Sequence, residues 1–155
     1  MGMQLATPDF TYFGVEIFPL ISLYEEVYMQ KKMNVKILLI DDEKLICSSL
    51  KRYLENRDDF TVDMAFNGKQ ALGKLDENNY DIILTDLNLP DFKDFELIDK
   101  VRNIGKQMPI IAMSGQFPDS TELEVTRNNI FKCVTKPFEL EEISEYVATA
   151  VRSGV

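Results

Sequence analysis

The chain has 155 residues, of which 45% are apolar and 28% are charged, and this size and composition predict one globular domain with a substantial core. Its 26 acidic residues outnumber the 17 basic residues, and the formal net charge of −9 disfavours direct binding to nucleic acid. The sequence contains no histidine. A phosphohistidine carrier, a Ser-His-Asp hydrolase and a His-ligated metalloenzyme are therefore excluded.

The first 33 residues differ in kind from the rest of the chain. They are rich in aromatic residues and show no clear hydrophobic period. We expect residues 1–33 to be an N-terminal extension of uncertain structure, followed by the globular domain at residues 34–155. The alternative is that the extension is an interaction segment with a helix over residues 20–32.

Two features indicate where the protein resides. The apolar stretch at residues 10–24 is interrupted by Glu16 and Pro19 and is too short to span a bilayer, so we expect no membrane association and no signal peptide. Cys47 and Cys133 match no metal-binding spacing and are expected to be reduced thiols. Both features favour the cytoplasm.

From residue 33 onward, short apolar runs alternate with amphipathic stretches, which is typical of repeated βα units. The first run, residues 35–40, has the length and β-branched content of a buried strand and stops at Asp41. Helix 1 is predicted over residues 44–56, where four apolar side chains recur at helical spacing. These are Leu45, Leu50, Tyr53 and Leu54.

The later elements continue this alternation. Further strands are predicted at residues 60–66, 81–86, 109–113 and 131–135. Asn67 and Gly68 predict a turn before helix 2, whose apolar positions are Ala71, Leu72 and Leu75. Helices 3, 4 and 5 are predicted at residues 95–104, 119–127 and 139–151. The fold class is therefore α/β, with a doubly wound, five-stranded parallel sheet. We expect the strand order 2-1-3-4-5, which is one of the two common orders of such sheets.

Polar residues stand at the carboxyl ends of four predicted strands, where open parallel sheets bind ligands. Asp41 and Asp42 follow strand 1, and Asp86 ends strand 3. Ser114 and Lys136 follow strands 4 and 5. Because strands 1 and 3 are neighbours about 4.8 Å apart, three carboxylates meet and repel by roughly 1 to 4 kcal/mol per pair. Mg²⁺ offsets this repulsion best, since it prefers oxygen ligands, and Lys136 adds a positive charge.

Four short motifs fall at these strand ends. They are Leu39-Ile40-Asp41-Asp42-Glu43, Asp86-Leu87-Asn88-Leu89-Pro90, Met113-Ser114-Gly115 and Lys136-Pro137-Phe138. Together they make the sequence similar to the response-regulator receiver domains of two-component signalling, over residues 35–151. The resemblance implies a flavodoxin-like receiver fold.

The resemblance also implies the residues that bind the metal. Asp86 would accept the phosphoryl group and contribute to the Mg²⁺ site. Asp42 would be a direct Mg²⁺ ligand, Asp41 a ligand through water, and the backbone carbonyl of Asn88 would complete the metal shell. Phosphoryl transfer needs mainly in-line positioning and charge neutralisation, which such a site provides.

The resemblance assigns the opposite side of the site to phosphoryl contacts. Lys136 would pair with the phosphoryl group. Ser114 would hydrogen-bond one phosphoryl oxygen after modification and draw the following loop inward. Gly115 leaves room for the phosphoryl donor or water, while Gln116 and Asn88 are expected to tune the phosphoryl lifetime.

The sequence departs from the family's usual pattern at two positions, and a third residue is expected to compensate in part for one of them. Cys133 stands three positions before the lysine, where an aromatic residue that reports the switch is usual. By period-two alternation, Phe131 is expected on the same side of strand 5 as a partial substitute. Asp94 stands where glycine is frequent, and we expect its side chain to cap helix 3, the alternative being added negative charge near the site.

The predicted function is a phosphoacceptor receiver domain that catalyses only its own phosphorylation and dephosphorylation. The phosphoryl donor would be a histidine kinase or a phosphotransfer protein. A downstream protein would bind the face formed by helix 4, strand 5 and helix 5, and a phosphorylation-dependent homodimer is a further alternative. Because the sequence ends soon after helix 5, output is expected through partner binding, unless the sequence is part of a longer regulator.

Two other functions stay open at this point. A phosphorylation-independent interaction module would keep the fold without the switch; the intact acidic set argues against it and Cys133 argues mildly for it. A phosphohydrolase with an aspartate nucleophile would carry its two acids as D-x-D at one strand end, whereas this chain has adjacent Asp41 and Asp42.

Overall fold

The computed structural model describes residues 11–12, 15–16, 34–57 and 59–153, and the chain divides into two units at residues 1–33 and 34–155. In the first unit, the two-residue strands Thr11–Tyr12 and Val15–Glu16 pair in antiparallel fashion. The helix predicted over residues 20–32 lies outside the described residues. Within the described part of the chain, no helix is long and apolar enough to cross a membrane.

The second unit is a five-stranded parallel sheet with helices on both faces. Strands β1 to β5 are Val35–Ile40, Phe60–Ala65, Ile82–Asp86, Ile110–Ser114 and Lys132–Thr135. Helices α1 to α5 are Lys44–Arg57, Gly68–Glu77, Glu96–Asn103, Thr121–Arg127 and Leu140–Arg152. The strand order is β2-β1-β3-β4-β5, which confirms the predicted fold class and topology.

Two hydrophobic clusters lie on opposite faces of the sheet, because successive side chains of a strand point to opposite faces. Leu38 and Ile40 of β1 pack with the apolar sides of α2 and α3 in the first cluster. Ile37 and Leu39 pack with α1 and α5 in the second. Since β1 is buried on both faces, it reads in the sequence as an almost continuous apolar run.

From residue 35 onward, each bound that was predicted differs from the observed bound by at most two residues, but the interpretation of Asn67 and Gly68 was wrong. Asn67 and Gly68 do not form a separate turn, since Asn67 is the N-cap of α2 and its Oδ1 accepts a hydrogen bond from the Gln70 N–H at 2.8 Å. Leu45 shares the helical spacing of the other apolar residues of α1, but its side chain is 85% exposed. The buried stripe of α1 begins instead at Cys47.

The start of α3 also differs from the prediction. Asp94 does not cap this helix, because the N-cap position is occupied by Phe95 and no side chain caps it. Asp94 has a φ of 49°, in the left-handed region that favours glycine, whereas a capping residue usually has an extended backbone. The Lys93 N–H donates to the Glu96 Oε2 at 3.1 Å instead. The unusual backbone at Asp94 accounts for the glycine frequent at this position.

The predicted direction of Phe131 was wrong as well. Strand β5 begins at Lys132, so Phe131 lies before the strand and period-two alternation does not extend to it. Phe131 packs against the cluster that contains α1 and α5, whereas Cys133 packs against the cluster that contains α2 and α3. The two side chains therefore lie on opposite faces of the sheet.

Side chains of α1 cover part of the edge strand β2. The carbonyls of Asp59 and Ala65 accept hydrogen bonds from the β1 side, so Val62 directs its N–H and C=O away from the sheet. The Lys51 Nζ donates to the Val62 carbonyl, and the Glu55 Oε1 accepts from the Val62 N–H at 3.0 Å. Because Lys51 and Glu55 also pair with each other at 2.6 Å, the helix supplies both partners to this backbone position.

Candidate functional site

Three carboxylates converge beyond the carboxyl ends of β1 and β3. Asp41 and Asp42 follow β1, Asp86 is the last residue of β3, and one oxygen from each carboxylate lies within 4.8 Å of the others. Asp41 and Asp86 are buried, while Asp42 is exposed. The cluster is thus accessible to solvent mainly through Asp42.

Lys136 brings a positive charge to this cluster. Its Nζ donates to the Oδ2 atoms of Asp41 and Asp86 at 2.6 Å each, and to the Glu43 Oε1 at 3.2 Å. The backbone N–H of Lys136 donates to the Ser114 carbonyl at 2.8 Å, so the pairing of β4 with β5 continues past the end of β5. This register places the lysine at the same edge of the sheet as the carboxylates.

Backbone N–H groups hold the remaining oxygens of the two buried carboxylates. The Glu43 N–H donates to the Asp41 Oδ1, and the Asn88 N–H donates to the Asp86 Oδ1, both at 2.8 Å. Each bond joins a residue to the second residue after it, as in an Asx turn. The Asp42 side chain makes no hydrogen bond within the described residues, so Asp42 is the carboxylate most free to take a new ligand.

Burial and ion pairing act in opposite directions at this site. Burial raises the pKa of Asp41 above its ordinary value, and the hydrogen bond from Lys136 offsets this only in part. Burial lowers the pKa of Lys136, but the hydrogen bonds with Asp41 and Asp86 outweigh it, so the pKa lies above its ordinary value. Lys136 therefore stays charged at neutral pH, as one ammonium facing three carboxylates.

The donor set fits a hard divalent cation. Mg²⁺ takes carboxylate and carbonyl oxygens, needs only one or two protein carboxylates and keeps several waters. Asp41, Asp42 and Asp86 offer carboxylate oxygens, and the backbone carbonyl of Asn88 lies in the loop directly after β3. An additional positive charge here would also offset the mutual repulsion of the carboxylates.

Ser114, the last residue of β4, is fully buried beside this cluster. Its Oγ donates to the Gln116 carbonyl at 2.6 Å and accepts from the Gln116 N–H at 3.2 Å. It also accepts from the Asn88 Nδ2 at 3.3 Å. Within the described residues, Ser114 makes no hydrogen bond with Asp86, and its hydroxyl instead connects the loops that follow β3 and β4.

A cleft of about 830 Å³ connects the carboxylates with an apolar surface. Its polar side includes Asp42, Glu43, Asp86, Asn88, Gly115 and Lys136. Its apolar side includes Leu45, Ile46, Pro137, Phe138 and Leu140. The exposed Leu45 therefore belongs to the surface next to the site.

The structure separates the predicted site residues into two groups. The three carboxylates, Asn88, Ser114, Gly115, Gln116 and Lys136 lie together at the carboxyl edge of the sheet. Phe131 and Cys133 instead pack against the hydrophobic clusters. Cys133 is a half-buried free thiol, and burial raises its pKa. The contact between Glu43 and Lys136 was not predicted, although Glu43 adjoins the acidic pair.

A doubly wound parallel sheet with an acidic cluster, a lysine and a buried serine at its carboxyl edge defines a flavodoxin-like domain with a candidate ligand site. The family model of the response regulator receiver domain matches residues 37–148, and the chain belongs to this family. It carries the receiver domain of a two-component response regulator, as predicted.

Similar proteins include both a curated relative and solved structures. The transcriptional regulatory protein SrrA of Staphylococcus aureus is 35% identical over 120 residues, which cover 77% of this chain and 49% of SrrA. The chain thus spans about half the length of this relative. The Francisella response regulator 1452 receiver domain has a TM-score of 0.72 and 28% identity, covering 79% of this chain and 100% of that one.

A third similar protein has been solved with a ligand. The response regulator TrrA of Thermotoga maritima, in complex with Mg²⁺-BeF, has a TM-score of 0.66 and 28% identity. The match covers 75% of this chain and 98% of TrrA.

Proposed function

We propose that this chain is a Mg²⁺-dependent phosphoacceptor domain in which Asp86 takes a phosphoryl group from a histidine kinase or a phosphotransfer protein. Modification of Asp86 switches binding to a downstream protein in the cytoplasm. The chain catalyses only its own phosphorylation and dephosphorylation. The observation that carries the proposal is the carboxylate of Asp86, which lines the cleft while the Lys136 ammonium and the Asn88 N–H hold its two oxygens.

Asp86 is better placed as the acceptor than its two acidic neighbours. Asp41 is fully buried, and its two oxygens are held by the Glu43 N–H and Lys136. Asp42 is exposed, and no hydrogen bond within the described residues orients its carboxylate. Asp86 is both oriented and in contact with the cleft, which is the combination that in-line attack on phosphorus requires.

In the transfer, a carboxylate oxygen of Asp86 forms a bond to phosphorus as the bond from phosphorus to the donor atom breaks. The donor atom keeps the electron pair of that bond. Lys136, already 2.6 Å from the Asp86 Oδ2, neutralises charge on the phosphoryl oxygens. Its hydrogen bond to Asp41 holds the ammonium at the site throughout the transfer.

The metal would be held by Asp42 and Asp86 directly, by Asp41 through water and by the backbone carbonyl of Asn88. When bound, Mg²⁺ supplies charge neutralisation and orientation for the phosphoryl oxygens. The three carboxylates within 4.8 Å of one another support this assignment, as does the similarity to TrrA, which has been solved with Mg²⁺-BeF.

Ser114 supplies the first step of the switch. Its hydroxyl now donates to the Gln116 carbonyl, so it must leave that bond before it can donate to a phosphoryl oxygen on Asp86. The loop that contains Gly115 and Gln116 is thereby released, and Asn88 loses its contact with the Ser114 Oγ. These exchanges give Gln116 and Asn88 their role in tuning the phosphoryl lifetime.

The output face consists of α4, β5 and α5. Helix α4 has no buried residue, so little packing opposes its displacement when the preceding loop moves. A downstream protein binds this face, and a second phosphorylated copy of the chain is the alternative partner. Cys133 on β5 gives this face a thiol in place of the usual aromatic switch residue, and Phe131 packs on the other side of the sheet.

The test is phosphorylation of the purified chain by acetyl phosphate and Mg²⁺, followed by intact mass measurement. We expect one phosphoryl adduct on the wild type, none on Asp86→Asn and none when EDTA removes the metal. Asp94→Asn is a matched control, because it removes an exposed carboxylate from the loop after β3. A wild type without an adduct, or an equal adduct on Asp86→Asn, would overturn the proposal.

A further inference from the structure

The loop between β3 and α3, which contains Asn88, is attached to the N-terminus of α2. The Asp91 Oδ1 accepts a hydrogen bond from the Gly68 N–H, and the Asp91 Oδ2 accepts one from the Lys69 N–H, both at 2.8 Å. Helix N-termini leave such N–H groups unpaired and carry partial positive charge. A carboxylate from a loop more than 20 residues away in sequence thus caps this helix.

A second contact attaches the same loop. The Phe92 ring packs so closely on Gly68 that a Cβ atom added to the glycine would lie 2.0 Å from the Phe92 Cδ2. Only a residue without a side chain allows this approach, because real Cβ contacts are much longer. The Asp91 and Phe92 contacts therefore converge on the first turn of α2.

The attached tip is continuous with the segment that carries the metal-binding carbonyl. Asn88 and Lys93 form an antiparallel bridge, and the Leu89 N–H donates to the Phe92 carbonyl at 3.0 Å. The Asn88 N–H in turn holds the Asp86 Oδ1. The loop is therefore a small hydrogen-bonded hairpin, with its tip on α2 and its base at the acidic cluster.

The charge of Asp91 persists at neutral pH. Its slight burial raises the pKa, but the Gly68 and Lys69 N–H groups lower it further, so the pKa of Asp91 lies below its ordinary value. Asp94, on the same loop and also exposed, makes no hydrogen bond through its side chain within the described residues. Both acids are exposed on the same loop, and of the two only Asp91 holds the hairpin.

We propose that Asp91 is a positioning residue for the metal: its bonds to the first turn of α2 fix the hairpin and thereby keep the Asn88 carbonyl where Mg²⁺ is bound. This inference rests on the proposed function, since it assumes that the acidic cluster binds Mg²⁺. Gly68 also contributes to the attachment of the hairpin, because the absence of a side chain makes room for Phe92.

The test compares the Mg²⁺ dissociation constants of the wild type and three variants by calorimetric titration. Asp91→Asn should bind Mg²⁺ about 10-fold more weakly, as is usual when a residue that supports a metal ligand is changed. Asp94→Asn should stay within about twofold, since a solvated charge is well screened. Gly68→Ala should weaken binding in the same direction as Asp91→Asn, because its Cβ displaces Phe92.

Phosphorylation by acetyl phosphate gives a second readout. In Asp91→Asn, the Mg²⁺ concentration for half-maximal rate should rise about 10-fold, while the rate at saturating Mg²⁺ stays near that of the wild type. If Asp91 only capped α2, Asp91→Asn would be less resistant to urea, and the Mg²⁺ concentration for half-maximal rate would stay unchanged.

The outcomes separate the two proposals. If Asp91→Asn and Gly68→Ala remain folded by circular dichroism and bind Mg²⁺ as tightly as Asp94→Asn, the positioning role is overturned and the proposed function stands. If the wild type itself binds no Mg²⁺, the proposed function fails and the inference falls with it.

Discussion

Replacing Lys136 by methionine isolates the electrostatic role of the lysine. Methionine keeps much of the side-chain volume but removes the ammonium that contacts Asp41 and Asp86. The side chains of these two acids are only 0% and 7% exposed, so water cannot take over the lost interaction. The substitution therefore leaves two buried carboxylates next to each other without a cation.

The expected loss of stability follows from two limits. Breaking a buried ion pair by removing one partner costs about 3–5 kcal/mol. Proton uptake limits the loss of stability, because protonation of one carboxylate removes the repulsion. For a carboxyl group with the ordinary pKa of 3.8, this protonation costs about 4 kcal/mol at pH 7. We therefore expect Lys136→Met to lower the free energy of unfolding by about 3–4 kcal/mol at pH 7 without metal.

The loss should depend on pH with a definite sign. Burial raises the pKa of Asp41, and without Lys136 only the hydrogen bond from the Glu43 N–H counters this. The folded state therefore takes up a proton before the unfolded state does as the pH falls. At pH 4 that proton costs under about 1 kcal/mol. The difference in stability between Lys136→Met and the wild type should therefore shrink between pH 7 and pH 4.

Urea unfolding, followed by far-ultraviolet circular dichroism in EDTA, measures this difference. Lys132→Met is a matched control on β5, because this lysine lies 4.9 Å over the half-buried ring of Tyr146 and contacts no carboxylate of the site. Mg²⁺ should restore stability to Lys136→Met more than to the wild type. A variant as stable as the wild type at pH 7, or a deficit that does not change down to pH 4, would refute the reasoning.

Three further outcomes are expected elsewhere in the fold. Burial raises the pKa of Asp63, but the hydrogen bond from Tyr80 and a nearby lysine outweigh it, so the folded pKa lies below the ordinary 3.8. The stabilisation by this carboxylate is present above pH 3.8 and is lost as the pH falls through the folded pKa. In urea unfolding, Asp63→Asn should therefore differ in stability from the wild type at pH 7 but not at a pH below the folded pKa. Arg102 donates to four backbone carbonyls at 2.7–3.2 Å, so Arg102→Met should lose about 2–4 kcal/mol in the same assay, and a loss below about 0.5 kcal/mol would contradict this. Burial raises the pKa of Cys47 to about 12, so a fraction of roughly 10⁻⁴ of this thiol is ionised at pH 8. A disulfide reagent should therefore modify only Cys133 in the native protein and both thiols in urea. Rapid modification of Cys47 in the native protein would contradict its burial.

The acidic cluster could be predicted because it depends on local features of the sequence. Apolar runs mark the strands, and a parallel sheet brings their carboxyl ends to one edge, so Asp41, Asp86 and Lys136 had to meet there once the strand order was known. The same regularity defined the sheet itself. Errors of one or two residues in the predicted bounds did not move these side chains from this edge, since each lies at or just after the end of its strand.

Contacts between distant loops could not be predicted in this way. Asp91 and Gly68 lie 23 residues apart, and no sequence period connects a loop carboxylate to the N-terminus of another helix. The hydrogen bond between Glu43 and Lys136 spans 93 residues and depends on side-chain reach rather than on pattern. Phe131 shows the opposite failure, because it lies just before the first residue of β5 and the alternation of side chains along a strand does not fix its direction.

The bonds from Lys51 and Glu55 to Val62 also bear on how this sheet can grow. An edge strand ordinarily exposes a row of unpaired backbone N–H and C=O groups, with which an extended segment of another chain can pair. Here such a chain would meet two charged side chains of opposite sign before it reached the Val62 peptide groups, and it would have to displace both. Addition of a further strand, and aggregation by that route, is thereby opposed at the β2 border.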